Sequence, residues 1–120
     1  MRIITLVIGN KGAGKSKWIL EKKDEMLSEG WKQIDAKKEA DYNQAIFALK
    51  SPTGEVAILN SGSDRKDIID EFGTFLSQHE EVLRIFTAIR PQSINPHLYK
   101  RMRTDVLNIQ DDDIEERIEL

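Results

Sequence analysis

Residues 6–19 read LVIGNKGAGKSKWI. An apolar run stops at Gly9, a glycine-rich bend follows, and Gly14, Lys15 and Ser16 open a segment with helical spacing. The run IITLVI (3–8) is apolar almost throughout, which suits a strand buried on both faces of a parallel sheet. After the bend, Trp18, Ile19, Met26 and Leu27 share one face of a helix over 14–28, and Gly30 fits its stop signal. The bend therefore joins a buried strand to a helix, and the rest of the chain is read from that unit outward.

Trp31–Asp35 reads as a short strand, and 36–43 is polar without a clear period. AIFALK (45–50) and EVAIL (55–59) flank Ser51-Pro52-Thr53-Gly54, a turn signal that makes them a hairpin. An amphipathic helix follows over 64–78, with Ile68, Phe72, Phe75 and Leu76 on one side and Ser63 or Asp64 as its N-cap. Val82–Ile89 is a further apolar strand. Asn95-Pro96 reads as an N-cap with proline at the first helical position, with Ile94 stapling onto Tyr99. That helix is expected to end near Thr104, with a last strand over 106–109. Strands alternating with helices predict an α/β, three-layer domain with a mainly parallel sheet of about five strands including one hairpin. Right-handed crossovers bring the carboxyl ends of the parallel strands to one edge, where ligands of such sheets bind.

The chain has 120 residues and a net charge of −3, is 39% hydrophobic and 32% charged, and contains no cysteine. That length fits one domain with one core. Disulfides and thiolate metal sites are excluded. No apolar run is long enough for a membrane span, and the opening lacks the pattern of a leader, so a cytoplasmic location is expected. Residues 111–120, DDDIEERIEL, hold six acids and one arginine, leaving 17 basic and 15 acidic residues in 1–110. The division expected is a domain over 1–110 and an acidic tail over 111–120, a solvated end or a short surface helix. A near-neutral body with an acidic tail argues against nucleic acid as a partner.

Gly9-Asn10-Lys11-Gly12-Ala13-Gly14-Lys15-Ser16 fits G-x-x-x-x-G-K-[ST] without a mismatch, and the strand before and helix after supply the required context. Glycines let successive N–H groups converge on phosphate oxygens, and the helix aims its positive end at the same place. The stretch resembles the Walker A motif of the P-loop NTPase superfamily, which implies a P-loop-type sandwich binding a nucleoside triphosphate with Mg²⁺. By that resemblance Gly9, Asn10, Lys11, Gly12, Ala13, Gly14, Lys15, Ser16 and Lys17 form the phosphate site, Lys15 reaches the β- and γ-phosphates, and Ser16 ligates the metal. The family usually follows a second apolar strand with Asp. Here VAIL (56–59) is followed by Asn60, and Asp64 comes four residues later. Asp64 is then either a displaced metal or water ligand or a helix cap, and Asp35 is a weaker alternative.

The segment LRIFTAIRP (83–91) loosely resembles the sensor strand of ATPases that pump DNA, which gives Arg90 the role of stabilising γ-phosphate charge and leaves Thr87 as strand packing. Lys100, Arg101 and Arg103 form a small basic patch, read as a solvated helix face. His79 and His97 are isolated surface residues, and Trp18 and Trp31 read as packing. Three functions stay open: a small NTPase with weak hydrolysis, a small kinase moving a γ-phosphate to a nucleotide or metabolite, and a non-catalytic nucleotide-binding regulatory module. The N-K-x-D signature of GTPases is missing, which tilts the base from GTP to ATP. A domain this small is also open to completing its site with a protein partner or a second copy.

Overall fold

The computed structural model describes residues Met1–Leu120. Six strands form one sheet in the order β2-β3-β4-β5-β1-β6. They are β1 (Ile3–Ile8), β2 (Lys32–Lys37), β3 (Ile46–Lys50), β4 (Val56–Asn60), β5 (Arg84–Ile89) and β6 (Ile114–Glu119). β4, β5, β1 and β6 run parallel, whereas β2–β3 and β3–β4 pair antiparallel. The sheet is thus mixed and mostly parallel.

Strand composition sets the order. β4 (VAILN) is buried at every position and β1 at all but its first, so both are central, flanked by partners and covered on both faces. The polar β2 (KQIDAK) and β6 (IEERIE) lie at the two edges, where charge discourages further pairing. Alternate residues face opposite ways. Ile4, Leu6, Ile8, Ile58, Ile85 and Ile89 pack with Ile69, Phe72 and Phe75 of α2 (Lys66–Ser77) and with Tyr99, Met102 and Leu107. Val7, Ala57, Leu59, Phe47 and Leu49 pack with Ile19 and Met26 of α1 (Lys15–Ser28), Trp18 and Trp31 joining from the rim. Helices therefore cover both faces. The chain crosses from β1 towards β4 over the α1 face and returns from β4 through β5 to β6 over the other, as constant crossover handedness demands.

The carboxyl-terminal third departs from expectation. The helix starts at Pro96 as predicted, but α3 (Pro96–Lys100) runs into a π-helical turn over Arg101–Val106. No strand forms over 106–109: Leu107 is buried in the core and Asn108 adopts a positive φ of 46°. The sixth strand comes from the acidic segment instead, Ile114–Glu119 pairing with β1 from Ile3↔Ile114 to Ile8↔Glu119. Of its three acids Glu115 is neutralised locally, by Arg103 and Arg117, and Arg117 also bonds the Tyr99 hydroxyl. The Arg2 guanidinium holds Asp113 at 2.9 Å and donates to the Leu107 carbonyl at 2.7 Å.

Smaller expectations fail at helix starts. The N-cap of α2 is Arg65, not Ser63 or Asp64, and no side chain caps it. Asn95 caps α3 without a side-chain bond, and Ile94 is exposed rather than stapled. No helix is long and apolar enough to cross a membrane.

Candidate functional site

The loops that leave β1, β4 and β5 meet at one edge of the sheet. Between them and the segment before β3 lies a cleft of about 760 Å³. Its lining carries the cationic side chains of Lys11, Lys15, Lys17, Arg65 and Arg90 against the single carboxylate of Asp64, although the whole chain is net acidic. Such a concentration of one sign in a concave wall attracts anions.

The Gly9–Ser16 bend forms one side. Gly14 caps α1 with φ of 98°, a left-handed geometry that other residues adopt only under strain, and Gly12 is similar at 82°. A Cβ at Gly14 would meet nothing within 4 Å, so the bend is open in front. Gly9 is required for a different reason: a Cβ there would lie 2.9 Å from that of Ala13. Ala13 N–H donates to the Asn10 carbonyl and Lys11 N–H to the Asn10 side chain, which tightens the turn. The amides of Gly12, Gly14, Lys15, Ser16 and Lys17 donate to no protein acceptor. No side chain caps α1 and no acid lies in its first turn, so the helix's own residues leave its positive end unanswered.

Lys15 is buried and folds back over the bend, donating to the carbonyls of Gly9 at 2.7 Å and Asn10 at 3.2 Å. Burial holds its pKa below the ordinary lysine range; Asp64, 3.8 Å away, pulls it part of the way back, and the Arg90 charge adds to the lowering. Arg90, at the end of β5, donates to Asp64 Oδ1 at 3.0 Å and to Asn10 Oδ1 at 3.2 Å. Its Nε is buried without a partner. The position of β5 between β1 and β4 is what brings Arg90 to both neighbouring loops. Ser16 Oγ lies 3.3 Å from the Ser61 carbonyl and 3.4 Å from Asn43 Oδ1.

Sequence-predicted residues that line the cleft are therefore Lys11, Gly12, Gly14, Lys15, Ser16, Lys17, Asp64 and Arg90, while Gly9, Asn10 and Ala13 shape the bend behind them. Asn60 does not face the cleft. It is fully buried, donates to the Gly62 carbonyl at 2.7 Å and Thr87 Oγ1 at 3.0 Å, and accepts from Gly62 N–H at 3.3 Å. Thr87, buried as expected, completes that network. Asp35 is bonded instead to the His79 ring at 2.8 Å, and Phe75 packs on the same ring. His79 is thus a partly buried, partnered group rather than an isolated surface residue. Arg101 pairs with Asp70 at 2.6 Å and Arg103 with Glu115 at 2.6 Å, and neither lines the cleft. The segment before β3, which carried no signal in the sequence, supplies Tyr42, Asn43 and Gln44 to the cleft wall.

A divalent metal has no acidic cage in this protein, because no group of three or more His, Asp or Glu side chains converges anywhere. The oxygens beside Ser16 do fit a hard cation that brings most of its ligands as phosphate and water. No family model, curated protein or solved structure matches this chain.

Proposed function

We propose that the chain is a P-loop-type nucleotide-binding protein that takes a nucleoside triphosphate, ATP in preference to GTP, with Mg²⁺. The observation that carries this reading is the set of unpartnered amides of Gly12 and Gly14–Lys17 at the open end of α1. Amides left pointing at a concave, cationic wall are what a polyphosphate needs, and they have no other partner. Lys15 supports the same reading. Its ammonium is desolvated and held by neutral carbonyls, a position from which transfer to a phosphate oxygen relieves the burial cost. Arg90 is placed to swing from Asp64 to the terminal phosphate. Ser16, with the oxygens beside it, would hold Mg²⁺, which would supply neutralisation of the phosphate charge.

Hydrolysis is expected to be slow. Asp64 is the only carboxylate in the cleft, and it is engaged by Arg90 and Lys15. Asn60, uncharged and turned inward, occupies the position after VAIL where an acid would orient water. These points also favour the second reading, nucleotide binding without turnover. Preference for adenine rests on the missing N-K-x-D signature. The test is equilibrium titration of wild type and Lys15→Ala with labelled ATP and GTP, with phosphate release followed in parallel. Binding by wild type that is lost in the variant is the expected result. Equal affinity in both proteins contradicts the assignment, and measurable phosphate release decides between slow turnover and none.

A further inference from the structure

We propose that the divalent cation accompanying the nucleotide is held by neutral oxygens, Ser16 Oγ, Asn43 Oδ1 and the Ser61 carbonyl, and not by Asp64; this rests on the nucleotide-binding reading above. The hydroxyl of Ser16 has one proton, yet two acceptor oxygens lie beside it, at 3.3 Å and 3.4 Å. Only one of those contacts contains a hydrogen. The other leaves oxygen lone pairs without a donor, which a cation among the oxygens takes up. Mg²⁺ keeps its oxygens at ~2.1 Å in an octahedron, so adjacent ligands lie ~3 Å apart. The observed spacings need only a small contraction.

The Ser61 carbonyl and the backbone of Asn43 are fixed in place by their surroundings, and the Asn43 side chain is exposed towards Ser16. Ser61 stitches the segment before β3 to the end of β4: its hydroxyl donates to the Tyr42 carbonyl at 3.0 Å and accepts from Ala45 N–H at 2.9 Å, while its own N–H donates to the Ala45 carbonyl at 2.9 Å. Asn43 N–H is tied to Asp41 at 3.0 Å. Gly62 lets the two segments touch, since a Cβ there would come within 3.1 Å of the Asn43 carbonyl and 2.5 Å of Ile68. Ser16, Asn43 and Ser61 all line the cleft. Asp64 by contrast is directed to Arg90 and Lys15. A neutral ligand set binds a free divalent ion poorly, so the cation arrives with the phosphates, which supply the negative charge.

The experiment measures the ratio of ATP Kd without and with Mg²⁺ in wild type, Asn43→Ala, Asn43→Asp and Asp64→Ala. Wild type should bind more tightly with Mg²⁺. Asn43→Ala should reduce that ratio by about tenfold, in the range found when a metal site loses one supporting group. Asn43→Asp, which adds charge with almost no change in shape, should raise it, and Asp64→Ala should retain it. A ratio abolished in Asp64→Ala and unmoved in both Asn43 variants overturns this inference and leaves nucleotide binding standing. Nucleotide binding by wild type that ignores Mg²⁺ does the same. No binding by wild type under any condition overturns both.

Discussion

Replacing Lys15 by methionine separates a residue kept for a ligand from one kept for the fold. The methionine retains an unbranched stem and removes the charge. Folding loses two charge-assisted bonds, to the carbonyls of Gly9 and Asn10. Each such bond is worth about 1.5–3 kcal/mol, but here the gain is set against a desolvated ammonium whose pKa burial already depresses. The Asn10 carbonyl is part-buried and can be rehydrated, whereas the Gly9 carbonyl is buried and loses its donor, so after the relief of the ammonium's desolvation stability should fall by about 1–2 kcal/mol. Ligand linkage should move more. At a ligand concentration 100 times Kd, wild type gains ~2.7 kcal/mol, and at about 4 °C per kcal/mol for a domain of this size the melting temperature rises ~11 °C. If the charge contributes a factor of ~100 in affinity, the variant at the same concentration gains only ~0.4 kcal/mol, or ~2 °C. The assay is thermal unfolding followed by circular dichroism, with and without Mg·ATP. The wild type should also gain stability as pH rises through the lowered Lys15 pKa towards the ordinary lysine value, because the unfolded chain holds the proton longer; the variant should lack that rise. An undiminished ligand shift in Lys15→Met refutes the reasoning, as does a loss of several kcal/mol without ligand.

Three further outcomes follow from the packing. The Arg2 guanidinium, with backbone amides, holds the Asp113 carboxyl at about 2 instead of 3.8, and the side chain is 3% exposed, so the pair contributes about 2 kcal/mol near neutral pH. Asp113→Asn should lower the melting temperature accordingly above pH 4, and the deficit should close as pH falls through about 2, because a depressed carboxylate stabilises only while ionised. Asn60→Asp should destabilise by ~3 kcal/mol or more and fail to accelerate phosphate release, since it buries a carboxylate and removes the donor to Gly62 and Thr87; urea titration and a phosphate assay check both halves. Gly62→Ala should cost about 1–3 kcal/mol in the same urea titration, because its Cβ is forced against Ile68 and the Asn43 carbonyl.

Much of this arrangement is legible in the amino-acid order. The buried strands β1, β4 and β5 announce themselves as apolar runs, and the hairpin between β3 and β4 carries its own turn chemistry at Pro52 and Gly54. The bend is legible because its glycines have no other reason to cluster after such a strand. β6 is hidden because an edge strand is charged for the same reason that a tail is: both face water, and only pairing with β1 tells IEERIE from a solvated end. The π-helical turn is likewise set by packing, with Met102 and Leu107 both drawn into the core behind α2. Asn43 and Ser61 carry no motif. Their importance arises from the β3–β4 register, which pairs Ile46 with Asn60 and so brings the residues just before one strand to those just after the other. Asp64 and Arg90 stand 26 positions apart and meet only because β5 lies beside β4.

The central claim is that the amides of Gly12 and Gly14–Lys17 receive a polyphosphate. Backbone ¹⁵N–¹H correlation spectra recorded during titration with Mg·ATP test it residue by residue. The expected result is large, saturable shifts confined to Lys11–Lys17, Asn43, Ser61–Asp64 and Arg90, with downfield movement of the amides that now donate to phosphate. Spectra that stay unchanged at millimolar nucleotide, or shifts that gather elsewhere on the protein and leave the bend untouched, contradict it.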